Sequence, residues 1–260
     1  MPPALASARC ELTALPGIPL VRPGDDLVQF ILEGVAAAGE TLRPGDVLVI
    51  AQKIVSKAED RYVDLGAVRP SARARELAGR CDKDPRLVEL ILAESREVLR
   101  YRPGVLVVVH RLGVILANAG IDHSNVEPQG DRERVLLLPK DPDGTSRRLR
   151  QALHERAGVE VAVVINDSVG RAWRNGTVGI ALGASGLPAL LDLRGRRDLY
   201  DRPLMVSEQA IGDELAAAAS LVQGQADEGT PVVLVRWSPP GDGEVEAAAL
   251  IRPEAEDLFR

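Results

Sequence analysis

The chain of 260 residues is poor in several residue types, and each shortage excludes a class of protein. Aromatic residues make up only 3%, which argues against a surface on which nucleic acid bases stack. The formal charge is −6 and no basic stretch is interleaved with aromatics, so we expect no nucleic acid partner. No apolar run approaches the roughly 20 residues of a membrane-spanning helix, and we expect neither a signal peptide nor a membrane partner.

Cysteine and histidine are also scarce. Cys10 and Cys81 form neither a metal-like spacing nor a disulfide framework, so we expect the protein in a reducing cytoplasm. His123 is one of three histidines and no second histidine lies near it, so we predict no zinc site. Gly-Lys nowhere precedes Ser or Thr. A nucleotide would therefore have to bind without a P-loop.

Apolar runs alternate with segments of helical periodicity, which predicts an α+β or mixed α/β architecture. Strands are predicted at residues 46–51, 105–110, 135–138, 161–165 and 232–237, and those at 46–51 and 161–165 are predicted to be buried. Helices are predicted at residues 71–81, 84–99, 141–157 and 208–222, with a further one directly after Asp25 and Asp26 as capping residues. Residues 187–203 are predicted to be a charged loop or short helix, and the glycines of 178–186 indicate close backbone packing.

The most informative stretch is residues 160–176. An apolar strand predicted at 161–165 gives way to Asn166, Asp167 and Ser168, and Arg171 and Arg174 follow. A carboxylate and a hydroxyl at the end of a rigid strand suit a hard cation, and two guanidiniums suit an anionic ligand such as a nucleotide phosphate. The alternative is a strand, an Asx turn and two solvated arginines.

Four other segments carry polar groups or backbone that a ligand could use. Lys53 and Lys57 follow a predicted strand and are either phosphate contacts or surface lysines. Residues 122–125 offer a carboxylate for a cation and an amide for a base or sugar, or form an Asx-type loop. Residues 223–231 are either a ligand loop or a flexible connector. Residues 18–21 read more simply as an extended connector than as a backbone contact to a ligand.

Taken together, these segments resemble one family. The clusters at 52–57, 120–125 and 167–176, with Gly17-Ile18-Pro19 and Gly224-Gln225, resemble the coenzyme F420:γ-glutamyl ligase family from about Leu15 to Phe259. The ordered pair GIDHSN and DSVGRAWRNG is the specific part of the resemblance.

The resemblance implies a set of site residues. Nucleotide contacts are implied at Ile18, Pro19, Leu20, Val21, Gln52, Lys57 and Asn125, and in a closing loop of Gln223, Gly224, Gln225, Ala226, Asp227, Glu228, Gly229 and Thr230. Divalent metal ligands are implied at Asp122, Asp167, Ser168 and Gln225. Two positions depart from the family pattern: Gln52, where Thr or Ser is frequent, and Ser168, where Thr is frequent; Ser168 keeps the hydroxyl. From chemistry alone, Lys57, Arg171 and Arg174 would neutralise developing charge, or the arginines would bind the substrate's phosphodiester or carboxylate.

The family also implies a function and an assembly. GTP would phosphorylate a carboxylate of F420-0 or dehydro-F420-0, and L-glutamate would attack the acyl phosphate, with Mg²⁺ or Mn²⁺, and K⁺ as a further cation. The implied fold is a two-lobed mixed α+β one, in a homodimer, with a single catalytic domain at 8–260 and no C-terminal flavin-binding domain. Three alternatives stay open: another nucleotide-dependent carboxylate–amine ligase, a guanine-nucleotide-binding protein without catalysis, and a structural protein whose polar clusters are ordinary turns.

Overall fold

A computed structural model describes residues 9–126, 133–237 and 243–258. Residue 8 and residues 259–260, the ends of the predicted catalytic domain, lie outside these ranges. The described residues form six α-helices and twelve strands, and this confirms the predicted mixed α+β class.

The helices are α1 (Leu27–Ala37), α2 (Gln52–Ala58), α3 (Ala72–Cys81), α4 (Pro85–Ala93), α5 (Pro142–Ala157) and α6 (Ile211–Gln223). The strands are β1 (Glu11–Ala14), β2 (Val47–Ala51), β3 (Tyr62–Asp64), β4 (Ser95–Arg102), β5 (Val105–His110), β6 (Ile115–Ala117), β7 (Arg134–Leu136), β8 (Ala162–Arg171), β9 (Arg174–Ser185), β10 (Leu191–Asp192), β11 (Glu208–Gln209) and β12 (Val232–Arg236).

The main sheet has five strands in the order β1-β12-β2-β8-β9. Strand β12 is antiparallel to both β1 and β2, and β2 is parallel to β8. Strands β1, β2 and β8 therefore run in the same direction and end at one edge of the sheet.

Both faces of this sheet are covered, because its strands present apolar side chains alternately to either side. Leu48 of β2 and Ile165 of β8 face a core that also contains residues of α1, α2 and α5. Val49 and Val164, one residue away on the same strands, face a second core that contains residues of α6. The alternation assigns every position of β8 either to the α2 side or to the α6 side.

The chain between α2 and α5 builds a separate core. Helices α3 and α4 pack there with residues of β5 and β7, around fully buried Val88, Ile91 and Leu106. Strand β3 pairs with β7, and β4, β5 and β6 form a three-stranded antiparallel sheet.

Several helix ends follow the sequence. The carboxylate of Asp26 accepts a hydrogen bond from the backbone N–H of Gln29 and caps α1, whereas Asp25 accepts instead from the N–H of Arg22. Gly158, at φ 68°, ends α5 in the left-handed conformation, as predicted.

Two predictions were wrong. The helix predicted at 84–99 ends at Ala93, and Ser95 starts β4, because pairing with β5 overrides the continued apolar spacing. Strand β8 does not break at Asn166 but continues to Arg171, since β9 supplies it with backbone partners. Residues 187–203 are mainly a loop, one of the two predicted alternatives, and they enter a hairpin arm that starts at β10 and returns through Leu204 to β11. In the described part of the chain, no helix is long and apolar enough to cross a membrane.

The glycines of β9 give a test of the packing. A Cβ atom on Gly183 would collide with the carbonyl group of Pro142 in α5, which confirms the predicted close approach of backbones. We expect Gly183→Ala to lower the free energy of unfolding by about 1–3 kcal/mol, because overpacking must displace backbone. Chemical denaturation measures this. Gly170→Ala on β8 is the matched control, because its Cβ would meet no atom within 4 Å; equal losses for the two variants would contradict the packing.

Candidate functional site

The predicted site residues gather at the edge of the main sheet where its parallel strands end. The segment at 18–21 follows β1, α2 follows β2, and the loop at 223–230 leads into β12 at the same edge. In open sheets, ligands bind in the crevice beyond the carboxyl ends of parallel strands. The fold thus brings to one edge segments that are more than 200 residues apart in the sequence.

Asp167 occupies a position defined by where β2 stops. The last pair between β2 and β8 joins Ala51 and Asn166, so Asp167 is the first residue of β8 beyond it. By alternation from Ile165, its side chain lies on the α2 side of the sheet. Burial, together with the negative charge of Asp122, raises the pKa of Asp167 to about 7. Two carboxyl groups far apart in sequence are therefore held near each other.

Gln52 lies beside these two carboxylates. Its side-chain Nε2 donates a hydrogen bond of 2.8 Å to Oδ2 of Asp122, and the proximity of its amide favours the ionised form of Asp167. The Oε1 atom of Gln52 accepts a bond of 2.9 Å from the hydroxyl of Ser56, which is fully buried one turn further along α2. Ser56 fixes the direction of the amide, so that its N–H donors face the carboxylates.

A lysine lies against the same pair. The ammonium group of Lys53 is 3.3 Å from Oδ1 of Asp122 and 3.3 Å from the hydroxyl of Ser124. Its positive charge also favours the ionised form of Asp167. Lys57 lies one turn away on the same face of α2 and is buried. The site thus combines two carboxylates with a nearby ammonium group.

The other two predicted metal ligands lie on the opposite face of the β8–β9 hairpin. Ser168 follows Asp167 directly, so its side chain lies on the α6 side. Thr177 of β9 lies on that side as well, and its hydroxyl is 3.5 Å from Oε1 of Gln225. The four residues therefore lie on two faces, with Asp122 and Asp167 on one and Ser168 and Gln225 on the other.

The loop at 223–230 is attached at its ends and touches the site in its middle. Gln223 donates to the carbonyl of Pro231 at 3.2 Å and exchanges hydrogen bonds with the amide of Asn166. The backbone carbonyl of Ala226 accepts a bond of 3.3 Å from Nδ2 of Asn125. The loop thereby closes the site between residues 122–125 and the hairpin.

The remaining predicted residues lie around this centre. In the segment at 18–21, Val21 is buried and Leu20 is 82% exposed. Arg171 and Arg174 pair across the end of the β8–β9 hairpin. Four residues along a strand separate the Cα atoms of Arg171 and Asp167 by about 13 Å. Only their long side chains could bring these arginines to a ligand at the carboxylates, and their catalytic role stays a prediction.

Little in the sequence indicates the residues that support the site. It suggests no role for Ser56 or Asn166, and Lys53 is only one of two candidate lysines. Ser56 lies at the i+4 position from Gln52, which is the helical spacing for a side-chain contact. The pairing of Asn166 with Gln223 joins positions that only the folded chain brings together.

The side chains suit a divalent cation in chemistry though not in number. No group of three His, Cys, Asp or Glu residues comes together in the described ranges 9–126, 133–237 and 243–258. Hard cations, however, also accept hydroxyl, amide and phosphate oxygens, and Mg²⁺ is commonly held by one or two carboxylates plus substrate phosphates. Two carboxylates whose proximity raises the pKa of one of them fit that pattern, because a bound cation would stabilise the ionised pair.

Comparison with known proteins identifies the family. The family described as F420-0:Gamma-glutamyl ligase matches residues 17–236. The chain belongs to this family. A protein named coenzyme F420:L-glutamate ligase from Methanopyrus kandleri is 48% identical over 244 residues, which cover 92% of this chain and 93% of that protein. The proteins of the same name from Methanothermobacter thermautotrophicus and Archaeoglobus fulgidus are 46% and 42% identical over 96% and 97% of this chain, and over 98% and 97% of their own lengths.

The raised pKa of Asp167 gives this γ-glutamyl ligase a testable pH dependence. The folded state holds the proton of Asp167 up to about pH 7, whereas the unfolded chain releases it near the ordinary value of 3.8. The carboxyl group therefore has no effect on the free energy of unfolding below pH 3.8, and it lowers that free energy most above pH 7. We expect Asp167→Asn to raise the free energy of unfolding at pH 8 by about 1–2 kcal/mol, since one pKa unit is about 1.4 kcal/mol and partial exposure reduces the full effect.

Thermal and chemical denaturation in a chelator at pH 4.5 and pH 8 would measure this difference. Asp192→Asn is the control of opposite sign, because hydrogen bonds from Arg194 lower the pKa of Asp192. The Asp192→Asn variant should be less stable than the wild-type protein at pH 8. An Asp167→Asn variant that gains no more stability at pH 8 than at pH 4.5 would contradict the charge coupling of Asp122 and Asp167.

Proposed function

We propose that the protein is a GTP- and divalent-metal-dependent ligase that adds L-glutamate to the F420-0 precursor. Three relatives of nearly the same length carry the name coenzyme F420:L-glutamate ligase, which states the acceptor and the amino acid. The observation that carries the proposal is the pair of carboxylates Asp122 and Asp167 at the edge where β1, β2 and β8 end: they lie close enough for the charge of Asp122 to raise the pKa of Asp167, and the amide of Gln52 donates to Asp122 beside them. A structural protein gains nothing from holding two carboxylates together at a cost in stability.

In this proposal Asp122 and Asp167 would hold Mg²⁺ or Mn²⁺ on one face of the hairpin, and Ser168 and Gln225 would hold a second divalent cation on the other face. When bound, the metal supplies positive charge that stabilises the phosphates of GTP. The lysines of α2 add charge nearby, with Lys53 already beside Asp122 and Lys57 one turn away. K⁺ is proposed as a further cation.

The reaction that suits these residues needs no protein nucleophile. A carboxylate oxygen of F420-0 attacks the γ-phosphorus of GTP, the bond to the β,γ-bridging oxygen breaks, and GDP leaves with both electrons of that bond. The amine of L-glutamate then attacks the resulting acyl phosphate, an amide forms, and phosphate and a proton are released. The protein's task is to align the groups and balance their charge. The loop at 223–230, bonded through Ala226 to Asn125, is suited to cover the nucleotide.

Asp167→Asn tests the function. We expect glutamate ligation to fall by about 100-fold or more, because the variant loses a charged metal ligand that contributes several kcal/mol. The assay supplies GTP, Mn²⁺, L-glutamate and F420-0 and detects the glutamylated product by mass spectrometry. Glu97→Gln, the same acid-to-amide exchange at an exposed position on β4, should leave the rate unchanged.

The outcomes separate the alternatives. A product with a different acceptor and none with F420-0 would indicate another carboxylate–amine ligase. Tight GTP binding without GDP release under any substrate combination would indicate a binding protein. Binding of neither metal nor nucleotide would indicate a structural protein. Full ligation by Asp167→Asn would remove the metal assignment.

We further propose a cytoplasmic homodimer of two-lobed subunits, with one lobe around the main sheet and the other around the core of α3 and α4. The hairpin arm between β10 and β11 supports the dimer, because it carries exposed apolar side chains. Leu199 is fully exposed at its end, and Met205 and Val206 are largely exposed nearer its base. Exposed apolar groups clustered on an extended arm are typical of interfaces.

Leu199→Glu combined with Val206→Glu tests the arm. We expect the double variant to be a monomer by light scattering, because two buried charges would oppose association. Leu221→Glu on α6 is the matched control, since Leu221 is 81% exposed and lies outside the arm. A wild-type protein that is already a monomer, or a double variant that remains a dimer, would contradict the proposal.

A further inference from the structure

The β8–β9 hairpin displays a tryptophan at its tip. Beyond Asp167 this hairpin has no pairing with β2, so it projects from the edge of the main sheet, and residues 172 and 173 connect its two strands. Trp173 is 87% exposed. The tip is therefore an accessible part of the same structure that carries Asp167.

A tryptophan at position 173 is unfavourable for the stability of the fold for two reasons. Tryptophan offers a large apolar surface that stabilises a fold when it is buried, and the chain has only two tryptophans. In addition, Trp173 has φ 62°, in the left-handed region that favours glycine and is unusual for a bulky residue. Neither the packing nor the turn explains a tryptophan here. Residues held against such preferences cluster at ligand-binding sites.

Two arginines flank this tryptophan. Arg171 and Arg174 are partners across the end of the hairpin, and neither forms an ion pair with a residue in the described part of the chain. Arg236 differs, because Glu40 and Asp46 both pair with it. The tip thus combines an open aromatic ring with two uncompensated positive charges, which suits a planar, anionic molecule.

We propose that residues 171–174 bind the deazaflavin substrate, with the indole of Trp173 stacked on the deazaflavin ring and the guanidiniums of Arg171 and Arg174 on its phosphodiester. This inference rests on the proposed function and adds the part of the protein that recognises the acceptor. It assigns the two arginines to substrate binding rather than to stabilisation of the transferred phosphate.

The spacing along the hairpin agrees with the order of groups in such a substrate. F420-0 carries a reacting carboxylate, then a phosphodiester, and then the ring at its far end. Strand geometry separates the Cα atoms of Asp167 and Arg171 by about 13 Å, and Trp173 lies beyond Arg171. A carboxylate near Asp167 would therefore leave the phosphodiester within reach of the long side chain of Arg171 and the ring near the tip.

The surroundings of Trp173 argue against a protein partner at this position. The residues that follow it are Arg174, Asn175, Gly176 and Thr177, all exposed and none apolar. A protein interface needs a larger contiguous surface than one indole. A single aromatic ring beside charged groups is the size of a small-molecule contact.

Fluorescence tests the stacking directly. In the Trp237→Phe background, Trp173 is the only tryptophan, so its emission reports on the tip alone. We expect F420-0 to quench this emission in a saturable way, and the deazaflavin without its phosphodiester to do so more weakly. GTP with Mn²⁺ should leave it unchanged. Arg171→Ala combined with Arg174→Ala should weaken F420-0 binding and leave binding of the deazaflavin without its phosphodiester unaltered.

Steady-state kinetics gives a second measurement. We expect Trp173→Ala to raise the KM for F420-0 about 10-fold, since aromatic stacking on a base-like ring is of that strength. The KM for GTP and the affinity for Mn²⁺ should not change. In the Trp173→Phe variant, which keeps an aromatic ring, the KM for F420-0 should stay close to that of the wild-type protein. Tyr101→Ala is the matched control, because Tyr101 is an exposed aromatic on β4; it should leave every constant unchanged.

The results distinguish this inference from the proposed function. An enzyme that ligates F420-0 with the same KM after Trp173→Ala would overturn the inference alone. Quenching by GTP instead of F420-0 would assign the tip to the guanine base, and a change of oligomeric state in Trp173→Ala would assign it to contacts between copies; either would overturn it. Saturable quenching by F420-0 in a protein that forms no glutamylated product would uphold the deazaflavin site and overturn the ligase.

Discussion

The candidate site depends on one constraint, the close approach of the carboxylates of Asp122 and Asp167, beside which the amide of Gln52 donates a hydrogen bond to Asp122. Like charges at close range repel each other, and burial adds to the cost of ionising Asp167. The fold accepts this cost because other groups fix the geometry: the backbone of Asp122 is paired with Leu136, and Ser56 orients the amide. The sheet and α2 thus hold two like charges close together.

The sequence indicated the family more clearly than the geometry of the candidate site. The clusters at 122–125 and 167–176 were specific enough to indicate the family, because polar residue types are fixed by the chemistry they serve. What the sequence did not show was that β8 continues through Asp167 to Arg171. That extension depends on pairing with β9, and it decides on which face of the sheet each polar side chain lies. Alternation along β8 separates Asp167 from Ser168, although the two are neighbours in the chain.

The secondary structure could likewise be predicted where local chemistry determines it, and not where pairing with a distant segment does. Helix α5 could be predicted at both ends, since Asp141 caps it and Gly158 ends it by local chemistry. The helix predicted at 84–99 failed because its second half is taken by pairing with β5, which no local pattern reveals. The order of the main sheet could not be predicted either, because it joins strands from both ends of the chain.

The attachment of the loop at 223–230 determines how that loop can move. Gln223 is tied to Asn166 and Pro231, and Thr230 is bonded to the carbonyl of Gln223, so both ends are fixed relative to the sheet. Between them, Gly224 and Gly229 both have positive φ values, which suit sharp changes of backbone direction. Opening of the loop would therefore be a rotation of its middle residues about two fixed ends. Ligand exchange would leave the strands beneath the loop undisturbed.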